Sequence, residues 1–326
     1  MTITRRTLSA AALGLAAASP ALAQGGTDFP SRPVRLIIPF APGGSTDIVA
    51  RIVAPGMQDV FGGRPVVAEN RAGAAGLLGT EALVSSPPDG HAILIATISN
   101  GVLAAGFTRN PRLDPRNAFL PVSLVATLPM VLTVNNALPV RSLPELIAYM
   151  RARPGGTNYG SAGPGSLNHL GGHLLNVRTD TQAVHVPYRG SGPVFADLIA
   201  GSIQWFIEGI SAQAPFVNGG QVRALATLAP ERNALLPNVP TAREQGVEFD
   251  IVNFMGIFTG AGTPASVVAQ LEAALRATVA KEATKARLRE AGTDPAGSTT
   301  AEFRSFWEAQ LAQWLPVAEA SGIRID

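Results

Sequence analysis

The chain has 326 residues, 25 Lys and Arg against 23 Asp and Glu, and no Cys, so it is long enough for two ordinary cores and close to neutral. The lack of cysteine excludes disulfides, a thiolate nucleophile and thiolate metal sites, and the balanced charge excludes a nucleic-acid binder, which needs clustered basic charge. Lys281 and Lys285 are the only lysines and neither follows a glycine, which excludes the Gly-Lys-Ser/Thr phosphate loop of an ATPase.

The chain begins with Arg5-Arg6 and an Ala-rich apolar run from Leu8 to Leu22 that ends in Ala21-Leu22-Ala23. This pattern reads as an export signal over residues 1–23, cleaved after Ala23, and the paired arginines suit either the twin-arginine or the general route. No later apolar run reaches the ~20 residues that span a bilayer. The sequence therefore predicts a free periplasmic protein.

Val34–Phe40 reads as a strand, and Thr46–Val60 as a helix that Pro55 should kink or split. Between them Pro42-Gly43-Gly44-Ser45-Thr46-Asp47 forms a tight turn that opens a helix. Such a turn gathers backbone N–H groups at the positive end of a helix dipole and suits an anion. Read only as a turn, its glycines would reverse the chain and Ser45 or Thr46 would cap the helix.

Further strands are expected at Val66–Glu69 and His91–Ile98, with a helix at Leu77–Ser85 between them. Pro121–Val134, interrupted by Pro129, reads as a strand passing from one domain into another. A second βα series follows: helix Leu143–Arg153, strand Asn158–Ser161, helix Ser166–Val177, strand Ala183–Pro187, helix Gly192–Ala200, and strands Ile203–Glu208 and Val222–Leu228. Helices at Pro264–Glu290 and Thr300–Ala320 close the chain. Alternation of this kind implies an α/β fold with parallel, right-handed units.

The turn chemistry recurs at Tyr159–His169, where a strand again ends in a Gly/Ser loop that opens a helix. Ligands of open α/β sheets bind beyond the carboxyl ends of strands. Two such loops on two domains would face each other and hold the two ends of one anion. A nucleophile elbow needs Gly-x-Ser-x-Gly, and the Tyr-Gly-Ser-Ala-Gly around Ser161 is one glycine short. No spacing ties His185 or Asp197 to Ser161 or Ser166. His169 and His173 are four apart but lack the Glu of a zincin motif, and Gly73–Gly79 lacks dinucleotide spacing, so neither a metal nor a cofactor is expected. Ser99, Asn100, Tyr188, Gly190 and Glu208 sit at strand ends, where caps and turns are the commoner role. Trp205, Trp307 and Trp314 read as packing residues.

Several segments in order then carry a resemblance: Phe29–Arg35, Pro39–Asp47, Glu69–Ala74, Pro88-Asp89-Gly90, Tyr159–Leu170, Val186–Gly190, Val222–Ala226 and Leu236–Thr241. The chain is similar to the substrate-binding proteins of tripartite tricarboxylate transporters, the Bug family. The resemblance implies a two-domain clamshell of the type II periplasmic binding kind, each domain a mostly parallel sheet flanked by helices. It places domain one at residues 27–125 plus 223–326 and domain two at 126–222. It also implies a small carboxylate ligand, no catalysis, a monomer, and membrane subunits of a transporter or a sensor ectodomain as partners.

Carried over by position, the ligand loops supply Phe40, Ala41, Gly43, Gly44, Ser45, Thr46 and Asp47; then Ser161, Ala162, Gly163, Ser166 and His169; then Tyr188 and Gly190. Ser99, Asn100 and Glu208 complete the set. Members of this family usually carry Asp where Glu208 stands, and the longer acid is expected to meet a hydroxyl, amide, ammonium or bridging water. The rival reading is a periplasmic serine hydrolase using Ser161 or Ser166.

Overall fold

A computed structural model describes residues 29–324; the export signal, the proposed cleavage site and the last two residues lie outside that range. Ten strands organise the described chain: β1 (Val34–Ile38), β2 (Val66–Asn70), β3 (Ala92–Ala96), β4 (Phe119–Asn135), β5 (Asn158–Ser161), β6 (Val184–Pro187), β7 (Trp205–Gly209), β8 (Val222–Thr227), β9 (Val252–Gly260) and β10 (Asp294–Pro295). β1 lies parallel to both β2 and β3, and β5 parallel to both β6 and β7. The strands between these two sets run antiparallel: β9 against β3 and β4, and β7 and β8 against β4.

β4 belongs to both halves of this arrangement. Its residues Phe119–Pro129 pair with β9, and Met130–Asn135 pair with β7 and β8. The partner changes just after Pro129, which has no N–H to give a ladder. The single long strand expected from the sequence is therefore present, and its proline marks a change of partner rather than a break.

Alternate residues of the inner strands face opposite cores. Leu36 and Ile38 of β1, Ile93 and Ile95 of β3, and Met255 and Ile257 of β9 join one cluster. Ile37, Leu94, Phe254 and Phe258 join the other. Helices cover both faces, which explains why these strands read as unbroken apolar runs. Trp307 and Trp314, on the helix Thr300–Ala320, and Trp205 are all buried in the second cluster.

Three local expectations change. The helix Ser45–Val60 runs unbroken through Pro55. Pro55 and Arg51 are both exposed, so the hydrogen bond lost to the proline falls on the solvent side. The single helix expected over Pro264–Glu290 is two, Ala265–Ala280 and Glu282–Glu290, separated by an extended Lys281 whose ammonium reaches Asp59 at 3.3 Å. The helix Ile210–Asn218 and the central strand β9 were not expected from sequence.

Candidate ligand-binding site

Both Gly/Ser loops lie at the carboxyl ends of their strands and face one small cavity. Phe40, Gly44, Ser45 and Thr46 line it from the first loop, and Ala162, Leu167 and Asn168 from the second. Thr97 and Ser99 beyond β3, Met130 of β4, Ser191, Glu208 of β7 and Asn253 of β9 complete the wall. The space is small, leaving ≈ 20 Å³ for the centre of a water-sized sphere, room for about one water. A larger depression of ≈ 580 Å³, lined by Arg151, Arg178 and Phe249, shares no residue with these loops.

The two sides touch through backbone and hydroxyl groups. Ser45 Oγ donates to the carbonyl of Gly209 at 3.1 Å, and the amide of Leu167 donates to Ser99 Oγ at 2.9 Å. Glycine permits the closest approaches. A Cβ at Gly192 would lie 2.3 Å from the carbonyl oxygen of Pro42, and one at Gly190 would lie 2.8 Å from the amide nitrogen of Ala41. Behind the second loop, Ala74 and Ala75 hold left-handed φ values of 47° and 52°, a strained turn beside Gly163.

The remaining expected residues shape the loops instead of lining the cavity. Ala41 meets Gly190. The Asp47 carboxylate accepts from the Gly43 amide at 3.2 Å, from Arg51 Nε at 2.9 Å and from Asn70 Nδ2 at 3.0 Å. These donors hold its carboxyl below the usual range despite partial burial, which pushes the other way. Asn70 Nδ2 also donates to the Phe40 carbonyl at 2.9 Å, so Asp47 and Asn70 together clamp the first loop. Asn100 Oδ1 accepts from the Thr97 amide at 3.1 Å and fixes the turn after β3, while its buried Nδ2 has no partner.

In the second loop, Ser166 caps the helix Leu167–Thr179: its Oγ accepts from the His169 amide at 3.3 Å and donates to the Gly163 carbonyl at 2.7 Å. His169 Nδ1 accepts from the Gly165 amide at 3.1 Å, and its ring stacks on His185 with centroids 3.7 Å apart and planes within 7°. Burial depresses both imidazoles, His169 to about 3 with help from the neighbouring histidines, and His185 to about 4. Tyr188 donates its hydroxyl to Asp197 at 2.5 Å.

The structure joins one pair that the sequence left apart. Ser161 Oγ and His185 Nε2 are 2.6 Å apart. The surroundings of the pair differ from those of an exposed nucleophile with an acid-oriented base. Ser161 is fully buried off the cavity wall, its Oγ also accepts from the Gly163 amide at 3.1 Å, and the Asp197 carboxylate is taken by Tyr188. The contact links the end of β5 to β6, at the base of the second loop.

Glu208 is the one ionisable group on the wall. Its carboxyl accepts from Asn168 Nδ2 at 3.0 Å, from the Gly209 amide at 2.9 Å and from the Ser191 hydroxyl. Burial nevertheless raises it above the usual carboxylate range, because no cation is near enough to offset the loss of water. Thr97, Met130, Leu167, Asn168, Ser191 and Asn253 were missed from sequence. Leu167 and Asn168 stood inside the quoted second loop and Ser191 one residue beyond the quoted Val186–Gly190, whereas Thr97 and Asn253 are lone polar residues without a motif.

A model of the tripartite tricarboxylate transporter family receptor matches residues 49–323. BugT of Bordetella pertussis is 33% identical over 323 residues, covering 98% of each chain. A Pseudomonas sp. (strain P51) protein named for the tcbD-tcbE intergenic region is 35% identical over 95% of this chain and 92% of its own. Among solved structures, a Rhodopseudomonas palustris protein determined with adipate superposes with TM-score 0.86 at 32% identity, covering 91% of this chain and 99% of its own. MatC from the same organism, with bound malate, gives 0.84 at 30% identity over 89% and 100%. None of the helices among the described residues is long and apolar enough to cross a membrane. The chain belongs to the tripartite tricarboxylate transporter receptor family and has the two-domain α/β fold of periplasmic binding proteins.

Proposed function

We propose that this protein captures a small organic carboxylate in the cleft between its two loops and presents the closed complex to membrane subunits of a transporter. The observation that carries this reading is the cavity itself. Residues of two strand-to-helix loops line it from opposite sides, Gly44, Ser45 and Thr46 from one and Ala162, Leu167 and Asn168 from the other, where helix starts would bind an anion's two ends. Relatives solved with adipate and malate support a di-acid as the ligand class. Phe40, Gly44, Ser45, Thr46, Ser99, Ala162 and Asn168 would contact it, while Asp47, Ser161, Ser166 and His169 hold the loops. The protein acts as a monomer, and it performs no chemistry on its ligand.

The domains would part at two places. One is the handover in β4 at Pro129–Met130. The other lies near Leu228–Val252, because β8 pairs with the second half of β4 and so goes with domain two. On this proposal the second boundary lies beyond residue 223. Ligand bound across the cleft favours closure by its differential affinity for the closed form.

A thermal-shift panel of mono-, di- and tricarboxylates tests the reading. A ligand at ~100 times its dissociation constant adds about 2.7 kcal/mol to stability. Flat melting curves across the panel would sink the carboxylate reading. A serine-directed covalent reagent is expected to leave the protein unlabelled; stoichiometric adduct on Ser161 by mass spectrometry would instead favour the hydrolase.

A further inference from the structure

Glu208 poses a charge problem that the loops do not solve. It is 6% exposed, and none of the residues on the cavity wall is Arg, Lys or His. The charged groups on surrounding elements are engaged or turned outward. Asp47 is held by Arg51 and Asn70, and Asp197 by Tyr188. His169 stacks on His185, and Arg178 and Arg189 are exposed. What touches the Glu208 carboxyl is neutral: Asn168, Ser191 and the Gly209 amide. A bound carboxylate brings a second acid into the same water-poor space, and two adjacent carboxylates do not both stay ionised there.

We propose that closure of the cleft on a carboxylate takes up one proton, which resides on Glu208 and is donated from its hydroxyl to the ligand. This rests on the carboxylate reading above. In the open cleft water reaches Glu208, and a solvated Glu is ionised at neutral pH. Closure removes that water, and the proton comes from bulk solvent; no other bond forms or breaks. Asn168 Nδ2 and the Gly209 amide then hold the oxygens of the acid in place, so that its one O–H is aimed at the ligand. Binding that takes up a proton weakens as pH rises, by up to tenfold per unit between the pKa of the free site and that of the complex, and levels off above the latter.

Isothermal titration of the mature protein with malate, adipate and succinate, in phosphate and in Tris at pH 7, measures the uptake directly. The expected result is a buffer-dependent enthalpy corresponding to about one proton and a dissociation constant that rises with pH above pH 7, by up to tenfold per unit until the complex itself gives up the proton. In E208Q the buffer dependence and the slope should both vanish. Binding with no proton uptake, together with a pH-independent dissociation constant in the wild type, overturns the proposal and leaves the carboxylate reading standing. It would mean that Glu208 stays ionised and accepts from a donor on the ligand. Absence of binding by all three acids overturns the carboxylate reading and this proposal with it.

Discussion

Replacing Gly192 with alanine is expected to weaken ligand capture by about 10- to 100-fold while leaving the fold intact. The added Cβ would lie 2.3 Å from the carbonyl oxygen of Pro42. That atom is backbone and cannot swing aside. Gly192 does not have the left-handed φ of Gly190, so alanine there brings no strain of its own. The clash exists only when the two sides meet, so the closed form is penalised and the open form is not. The change should therefore appear in the dissociation constant and in the ligand-induced melting shift, with far-UV circular dichroism and the ligand-free melting temperature close to those of the wild type. Gly190→Ala is a poorer test, since φ of 131° would add backbone strain to the clash. Unchanged affinity in Gly192→Ala would mean that capture does not need these sides to touch.

Stability is expected to fall by about 2 kcal/mol between pH 7 and pH 5, after allowing for the partial exposure of both rings. The groups responsible are His169 and His185, depressed mainly by burial to about 3 and about 4. In the unfolded chain each takes a proton near pH 6.5. Above that pH both states hold neutral rings and the full stability is present. As pH falls, the unfolded chain gains protons that the folded one refuses, and the loss continues until the folded rings titrate. Carboxylates at or below their usual range contribute little in this window because their unfolded values lie lower, and Glu208, raised by burial, opposes the loss rather than adding to it. Denaturant melts at pH 7, 6 and 5 give the slope, and histidine C2–H resonances give the assignment. Rings of His169 and His185 that titrate near 6.5 in the folded protein would refute it. Below that window the second loop loses one hydrogen bond, because protonated His169 can no longer accept from Gly165.

The loops were legible because their chemistry is local. An apolar run that stops at Pro-Gly-Gly or Gly-Ser and is followed by helical periodicity specifies a strand, a turn and a helix start without outside help. Strands β1 and β3 were legible for the same reason. β9 was not. Gly256 and Asn253 dilute its apolar character, and Gly256 is required because a Cβ there would lie 2.0 Å from the ring of Phe303. Its identity as a strand depends on the slot between β3 and β4, which no local window contains. Asn253 and Thr97 were hidden with it: each is a single polar residue whose role depends on what folds opposite.

The same slot has a consequence for the chain before it is complete. Until residues 252–260 arrive, β3 and the first half of β4 have no strand between them, and each presents an open edge. Those edges belong to strands rich in Ile, Leu and Val, the kind that recruit strands from other chains. A partial product that ends after β8 therefore exposes two apolar edges that the finished sheet covers. The β4–β9 pairing also joins segments more than a hundred residues apart, the kind of contact that makes folding slow. The late-arriving strand that completes the sheet is thus also what keeps the finished molecule from sticking to its neighbours.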